Sequence, residues 1–166
     1  TAVTQLRRAS QPSPFSTAIN GSYWPAIQAR RDLPDSVKKA IGAADVARFI
    51  NGRPGEPAFM YTGADGYAAY GMKDKQTELH DKLLRDYRTS RYAYLVRNQR
   101  LQTWRDSMRT MWDSTVPRRA THDDSIRYRA GYRKALDDFI NQPYHYSSSS
   151  LGDAYLSLYS ELSQDS

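Results

Sequence analysis

The sequence of 166 residues contains no cysteine, and this absence excludes several kinds of site. Disulfide bonds, thiolate catalysis, cysteine-ligated zinc and iron–sulfur clusters all require cysteine. The chain also has no run of about 18 apolar residues, the length that a membrane-spanning helix needs. We therefore expect a protein without a transmembrane span and without a cysteine-based cofactor.

Acidic residues are missing from the beginning of the chain, where Asp32 is the first. The segment before it contains many serines and the basic residues Arg7, Arg8, Arg30 and Arg31. An acid-free segment with Arg and Ser is typical of an organelle-targeting sequence, and an ordinary polar tail has the same composition. Four prolines predict that residues 1–34 form an extended N-terminal arm. Its expected anchors on a partner protein are Phe15, Tyr23 and Trp24.

Proline and glycine are absent between about Asp74 and Asp113, which predicts one long helix over residues 74–113. At 100° per residue, one stripe of this helix is apolar. The turn from Tyr92 to Val96 is apolar nearly all round, so we expect it to be enclosed from several sides. The candidate partner-binding residues of the helix are Tyr87, Tyr92, Tyr94, Trp104, Met108 and Trp112.

Glycine and proline are concentrated in residues 51–71 among several aromatic residues, and this composition predicts a long aromatic loop. Further along, the spacing of Thr121 and Asp124 predicts a capping box that opens a helix. Four serines, Ser147 to Ser150, predict a linker. The apolar spacing after it predicts a short helix that docks on a partner through Tyr155 and Leu158.

These elements predict a mainly α fold, with shorter helices packed on the long one and no substantial sheet. The predicted domains are the arm over residues 1–34, a helical domain over residues 35–146, and the linker with its docking helix over residues 147–166.

The net charge of +6 indicates attraction to acidic partners or phosphate. Between Lys82 and Arg109 there are eight basic residues, interleaved with tyrosines, against two acidic ones. Such a pattern can follow a phosphate backbone while bases stack on the rings. On a helical wheel, however, these charges spread over most of the circumference, whereas a nucleic-acid-binding helix concentrates them. RNA is therefore the alternative partner, and protein is the leading one.

No segment carries a motif for catalysis, a metal or a cofactor. His122, Asp123 and Asp124 are the densest cluster of metal-ligand types, but consecutive residues of a helix point in different directions. Gly63 and Gly66 lack the strand and the Gly-Lys pair of a phosphate-binding loop. We therefore expect no catalytic residue, no metal, no cofactor and no enzyme activity.

The thirteen tyrosines favour a protein with extensive interfaces, because tyrosine is amphipathic and enriched where proteins meet. The leading hypothesis is a non-catalytic accessory subunit that braces a large mitochondrial inner-membrane complex, such as ATP synthase or a respiratory complex. It would be peripheral, on the matrix side, with other protein subunits as partners. The alternative is a mitochondrial ribosomal protein that contacts rRNA. A third possibility is a structural protein outside mitochondria, in a plastid antenna assembly or a virion.

Overall fold

The structure is a computed structural model that describes residues 29–112 and 121–163. Within these ranges it has six α-helices and no strand, so the prediction of a mainly α fold is confirmed. None of these helices is long and apolar enough to cross a membrane. The predicted arm lies outside the described residues up to residue 28. The helices are α1 (Asp35–Asn51), α2 (Pro57–Ala69), α3 (Lys73–Asp86), α4 (Arg91–Trp112), α5 (His122–Ile140) and α6 (Ser148–Ser163).

Two helices, α3 and α4, stand where the sequence predicts one long helix. The backbone N–H of Ser90 donates to the carbonyl of Tyr87 at 2.9 Å, which closes a turn. The Ser90 hydroxyl then accepts a hydrogen bond from the N–H of Ala93 at 3.1 Å. A serine in this position is an N-cap, which starts a new helix because its side chain satisfies a backbone donor. The prediction of one unbroken helix was wrong because it relied on the absence of proline and glycine, and a serine cap can end one helix and start another without either residue.

A helix, α2, also replaces most of the predicted aromatic loop. Pro57 occupies its first turn, where the missing N–H costs nothing. Gly63 faces α1, and a Cβ at this position would lie 2.5 Å from Ile50 Cγ1. This glycine therefore permits close helix packing, whereas Gly55 and Gly71 adopt positive φ in the turns on either side. The loop prediction was wrong because composition does not distinguish these two uses of glycine.

The chain divides into two compact units, with the boundary between Asp86 and Tyr87. Helices α1 to α3 belong to unit 1, and helices α4 to α6 belong to unit 2. The sequence grouped residues 35–146 in one domain and set the C-terminal helix apart. The contacts instead place α6 with α4 and α5.

In unit 1, α2 packs on both α1 and α3. The ring of Tyr70 is almost fully buried and lies against α1, where a Cβ at Gly42 would overlap it. Because Gly42 has no side chain, it leaves space on α1 for this ring. The buried core cluster consists of Val46, Tyr67 and Tyr70, with Ile41, Ala43, Phe49, Ile50, Met72 and Leu79 packed against it.

In unit 2, α5 packs on both α4 and α6. The ring of Trp104 in α4 occupies the space that a Cβ at Gly131 in α5 would take. The same ring meets the ring of Tyr128 edge-on at 5.9 Å. The buried core cluster consists of Tyr94, Leu101, Tyr132, Ala135, Leu136, Phe139, Ile140 and Ala154.

Side-chain caps start α5 and α6. Thr121 Oγ1 accepts the N–H of Asp124 at 3.1 Å, and Asp124 Oδ2 accepts the N–H of Thr121 at 3.2 Å, so the predicted capping box is confirmed. In α6, Ser147 Oγ accepts the N–H of Ser150 at 3.3 Å. The serines predicted as a linker are therefore the cap and first turn of a helix that begins at Ser148.

Candidate functional site

The predicted partner-binding residues occupy very different positions. Phe15, Tyr23 and Trp24 lie outside the described residues, as does the side chain of Trp112. Tyr94 is buried, and Tyr155 is 54% exposed. The half-buried members are Tyr87, Tyr92, Trp104, Met108 and Leu158.

The turn that the sequence predicted to be enclosed is enclosed by the chain itself. Ala93 and Val96 have no exposed surface, and Tyr94 is 7% exposed. The ring of Tyr94 packs against the ring of Phe139 of α5, with 5.6 Å between the centroids. Burial of this turn therefore requires no external partner, and Tyr94 is a core residue.

Helix α6 has one apolar face that packs in the core of unit 2 and, beside it, an apolar face that residues 29–112 and 121–163 leave exposed. Leu151, Ala154 and Leu158 pack into the core of unit 2. The adjoining side, which we call the outer face of α6, consists of side chains with large exposed fractions: Tyr155 (54%), Leu156 (70%), Tyr159 (75%) and Leu162 (53%). At 100° per residue these four fall within one third of the circumference.

The outer face of α6 carries no charge. The charged residues of α6 are Asp153 and Glu161, and both lie on other sides of the helix. Gly152 belongs to the outer face, and a Cβ there would meet no atom within 4 Å. The outer face is therefore an uncharged, contiguous and mostly apolar surface.

Two arginines of α5 hold the last turn of α6. Arg129 Nε donates to Glu161 Oε2 at 3.3 Å, and Arg129 Nη2 donates to the carbonyl oxygen of Glu161 at 3.2 Å. Arg133 Nη2 donates to the same carbonyl at 2.7 Å. Cations near the last carbonyls of a helix also oppose its macrodipole. The outer face is therefore presented by a helix fixed at its end.

The connection from α5 to α6 is stiffened by His145. Its Nε2 contacts the carbonyl oxygen of Ile140 at 2.9 Å, and its Nδ1 contacts Gln142 Nε2 at 3.4 Å. A carbonyl accepts only, so these partners assign the proton to Nε2 and leave Nδ1 as the acceptor. The imidazole also packs edge-on against Phe139 at 5.7 Å. The connection is thus fixed to the core.

Two tyrosines project from this connection. Tyr144 is 57% exposed and Tyr146 is 47% exposed, and their ring centroids are 4.8 Å apart. Tyr146 packs on the buried ring of Tyr94 at 5.3 Å. Its hydroxyl donates to the carbonyl oxygen of Thr89 at 3.2 Å. Tyr146 is therefore held both by its ring and by its hydroxyl, and Tyr144 lies against it.

Arginines surround the same turn. Arg97 Nη1 donates to the carbonyl oxygen of Arg88 at 3.4 Å. Burial, and then the positive charges of Arg88 and Arg100, lower the pKa of Arg97, while the carboxylate of Asp138 acts in the opposite direction. We call this group the tyrosine–arginine patch: Arg88, Arg97, Arg100, Tyr144 and Tyr146.

Comparison with protein families, curated proteins and solved structures finds no match for this chain.

In unit 1, a buried carboxylate lies close to the buried ring of Tyr70. Asp45 is 4% exposed, and its Oδ1 lies 3.3 Å from Arg48 Nη1. Burial, together with the charge of Asp45, raises the pKa of Tyr70 to about 12. The Tyr70 phenol is therefore neutral at physiological pH.

The residues considered for metal and phosphate binding have structural roles. Asp124 belongs to the cap of α5, and Gly63 and Gly66 lie inside α2. Among residues 29–112 and 121–163, no three His, Asp or Glu side chains are grouped so that they could hold a metal ion.

Sequence reasoning found Tyr155 but missed the rest of the outer face. A signal was present, because the apolar residues of α6 cover more than half of its circumference and the helix has only two charges over sixteen residues. Tyr144 and Tyr146 also follow Pro143, which favours an exposed turn. The clustering of Arg88 with Arg97 had no signal, because it depends on the break at residues 87–90.

Proposed function

We propose that this protein is a non-catalytic accessory subunit of a large assembly, held there by the outer face of α6. The assembly we propose is a mitochondrial inner-membrane energy-converting complex, such as ATP synthase or a respiratory complex. The protein would be bound peripherally on the matrix side.

The observation that carries this proposal is the size and composition of the outer face. If a large side chain exposes about 150 to 250 Å² when free, the four side chains leave roughly 450 Å² uncovered. Contiguous apolar patches of several hundred Å² mark sites of protein association. Because the face is uncharged, it suits an apolar partner surface and offers nothing to an ionic ligand.

The area also indicates what covers the face. Two copies paired through it would bury roughly 900 Å² in total, below the range of about 1,200 to 2,000 Å² for stable interfaces. A groove on a different subunit would cover the sides of α6 as well, and so bury more. Insertion of an amphipathic helix into an apolar groove is a common mode of recognition. We therefore assign the face to an apolar groove on another protein subunit.

The mitochondrial location is supported by the sequence. The segment before Asp32 has arginines and serines but no acid, as organelle-targeting segments do. Eighteen acidic residues favour a protein partner over rRNA, because proteins that neutralise rRNA usually contain fewer acids.

The experiment compares two variants of the full chain in the cells from which the protein comes. Leu156→Asp with Tyr159→Asp places two charges on the outer face, whereas Ser160→Asp places one on an exposed position beside it. After mitochondrial fractionation, native gels report migration, and a photo-crosslinker at position 159 identifies the neighbouring chain by mass spectrometry. Circular dichroism checks that both variants remain helical.

We expect the wild type and Ser160→Asp to migrate with one energy-converting complex, and the double variant to migrate alone. The crosslink should join position 159 to an apolar segment of a single subunit of that complex. A crosslink to a second copy of the chain would refute the assigned occupant. Migration with ribosomes, or as a monomer in all three samples, would refute the function.

A further inference from the structure

We infer that the tyrosine–arginine patch binds single-stranded nucleic acid, with phosphates on Arg88, Arg97 and Arg100 and a base stacked on Tyr144. This inference goes beyond the proposed function, because the patch and the outer face of α6 share no residue. It uses three features of the patch, which are its charge, its exposed rings and the turn at which they converge.

The first feature is the concentration of positive charge. Arg97 and Arg100 are one turn apart on α4, and the guanidinium of Arg97 reaches back to the carbonyl of Arg88. The carboxylate of Asp138 acts on the pKa of Arg97 in the opposite direction from the neighbouring arginines, and it also pairs with Lys134, with 2.8 Å between Nζ and Oδ2. The arginines repel one another, and a bound phosphate relieves that repulsion.

The second feature is the exposed pair of rings. Tyr144 has more than half of its surface exposed and meets Tyr146 edge-on. The hydrogen bonds of His145 and Tyr146 hold the connection in place, so the ring of Tyr144 loses little entropy when a base stacks on it. Aromatic stacking on nucleic-acid bases tolerates any sequence, since every base has a π-face.

The third feature is the convergence of charge and rings on one turn. The carbonyls of Arg88 and Thr89, which are adjacent in the chain, accept hydrogen bonds from Arg97 and Tyr146 respectively. The guanidinium and the ring system therefore lie side by side. This is the arrangement that a nucleotide presents, with its phosphate beside its base.

The rings distinguish a single strand from other anionic partners. An acidic peptide would engage the arginines but would gain nothing from Tyr144. In a duplex the bases are stacked on one another and are inaccessible to a protruding tyrosine. Phosphates and base faces are common to RNA and DNA, so both kinds of single strand should bind.

The test is a fluorescence-anisotropy titration of the purified full chain. The labelled probes are a 12-nucleotide oligo-U, the matching oligo-dT, a 12-base-pair duplex and a 12-residue poly-glutamate peptide. The variants are Tyr144→Ala, Tyr144→Phe, and a triple change of Arg88, Arg97 and Arg100 to Gln. Arg109→Gln is the matched control, because it removes an exposed arginine from the last part of the same helix.

We expect both single strands to bind more tightly than the duplex or the peptide. Tyr144→Ala should weaken binding about ten-fold, equivalent to about 1.4 kcal/mol, without changing the salt dependence. Tyr144→Phe should bind as the wild type does, and Arg109→Gln should stay within about two-fold of it. The triple change should reduce the slope of log K against log salt by about 2, since three phosphates on a single strand contribute about 0.7 each.

Three results would overturn the inference. Equal binding of duplex and single strands would show attraction by charge alone, and tighter binding of poly-glutamate would show an acidic protein partner. Wild-type affinity for oligo-U in both Tyr144→Ala and the triple variant would place the nucleic acid elsewhere. None of these results bears on the outer face of α6, so the proposed function is tested separately.

Discussion

Among the described residues, unit 1 and unit 2 have three helices each, yet they differ in how much apolar surface they expose. Both bury polar side chains, Asp45 and His80 in unit 1 and Gln142 and Glu161 in unit 2. The exposed large hydrophobic side chain among the described residues of unit 1 is Val37, at 40%. The exposed large hydrophobic side chains of unit 2 are Ile126, Tyr144, Tyr146, Tyr155, Leu156, Tyr159 and Leu162.

The difference separates two tasks within one chain. A unit that covers its apolar side chains has little to offer an apolar partner. A unit that fills its core and still exposes a second apolar helix face has surface left for recognition. Both the outer face of α6 and the tyrosine–arginine patch belong to unit 2, and the following changes test how far the contrast extends.

The largest effect is expected from Phe139→Ala in the core of unit 2. Phe139 is 1% exposed and touches the rings of Tyr94 and His145, so truncation leaves a cavity. We expect the free energy of unfolding to fall by about 4 kcal/mol, measured by chemical denaturation. Hydrogen exchange should locate the loss of protection in α4 to α6.

The control is Ile126→Ala, at an exposed position of the same helix, which should change the free energy of unfolding by less than about 0.5 kcal/mol. Equal effects of the two changes would contradict this account of the core.

A smaller effect of the same kind is expected from Gly42→Ala in unit 1. The added Cβ overlaps the buried ring of Tyr70, which has no room to withdraw, and overpacking outweighs the gain in helix propensity. We expect a loss of about 2 kcal/mol in thermal or chemical unfolding. The matched change in unit 2 is Gly152→Ala, where nothing lies within 4 Å of the new Cβ. This change should raise the free energy of unfolding by up to about 1 kcal/mol. If both glycine-to-alanine variants were more stable than the wild type, the close packing of Tyr70 on Gly42 would be refuted.

The smallest effect concerns alkaline pH and is confined to unit 1. Burial raises the pKa of Tyr70 from 10.0 to about 12, so between these values the unfolded phenol loses its proton while the folded one keeps it. The stability that Tyr70 contributes is complete below pH 10 and is lost as the pH rises toward 12. We expect a loss of about 1 kcal/mol by pH 11. Tyr70→Phe should flatten this dependence in denaturation curves measured at several pH values, and identical curves for both proteins would contradict it.

The sequence was sufficient for the fold class and for individual helix starts with strong local signals. The capping box at Thr121 and Asp124 is one such signal, because both partners lie within one turn. It was insufficient at Ser90, where the same serine hydroxyl that caps α4 is also tolerated inside a helix. It was also insufficient at Gly63, because only the position of Ile50 distinguishes a packing glycine from a turn glycine.

The candidate surfaces were less predictable than the fold. Tyr155 lies on an exposed helix face, whereas Tyr94 is buried. Apolar periodicity does not distinguish the two, because it does not show which element of the chain supplies the cover. The grouping of Arg88 with Tyr146 depends on hydrogen bonds to two backbone carbonyls. Periodicity carries no information about such contacts.

The serine caps at Ser90 and Ser147 affect how the sequence of this protein can evolve. Each helix start depends on one hydroxyl oxygen, an interaction of about 1 kcal/mol. Loss of one hydroxyl therefore removes the side-chain cap from the start of α4 or of α6. The lengths of the helices, and with them the positions of the tyrosines beyond each cap, lie within reach of one nucleotide substitution.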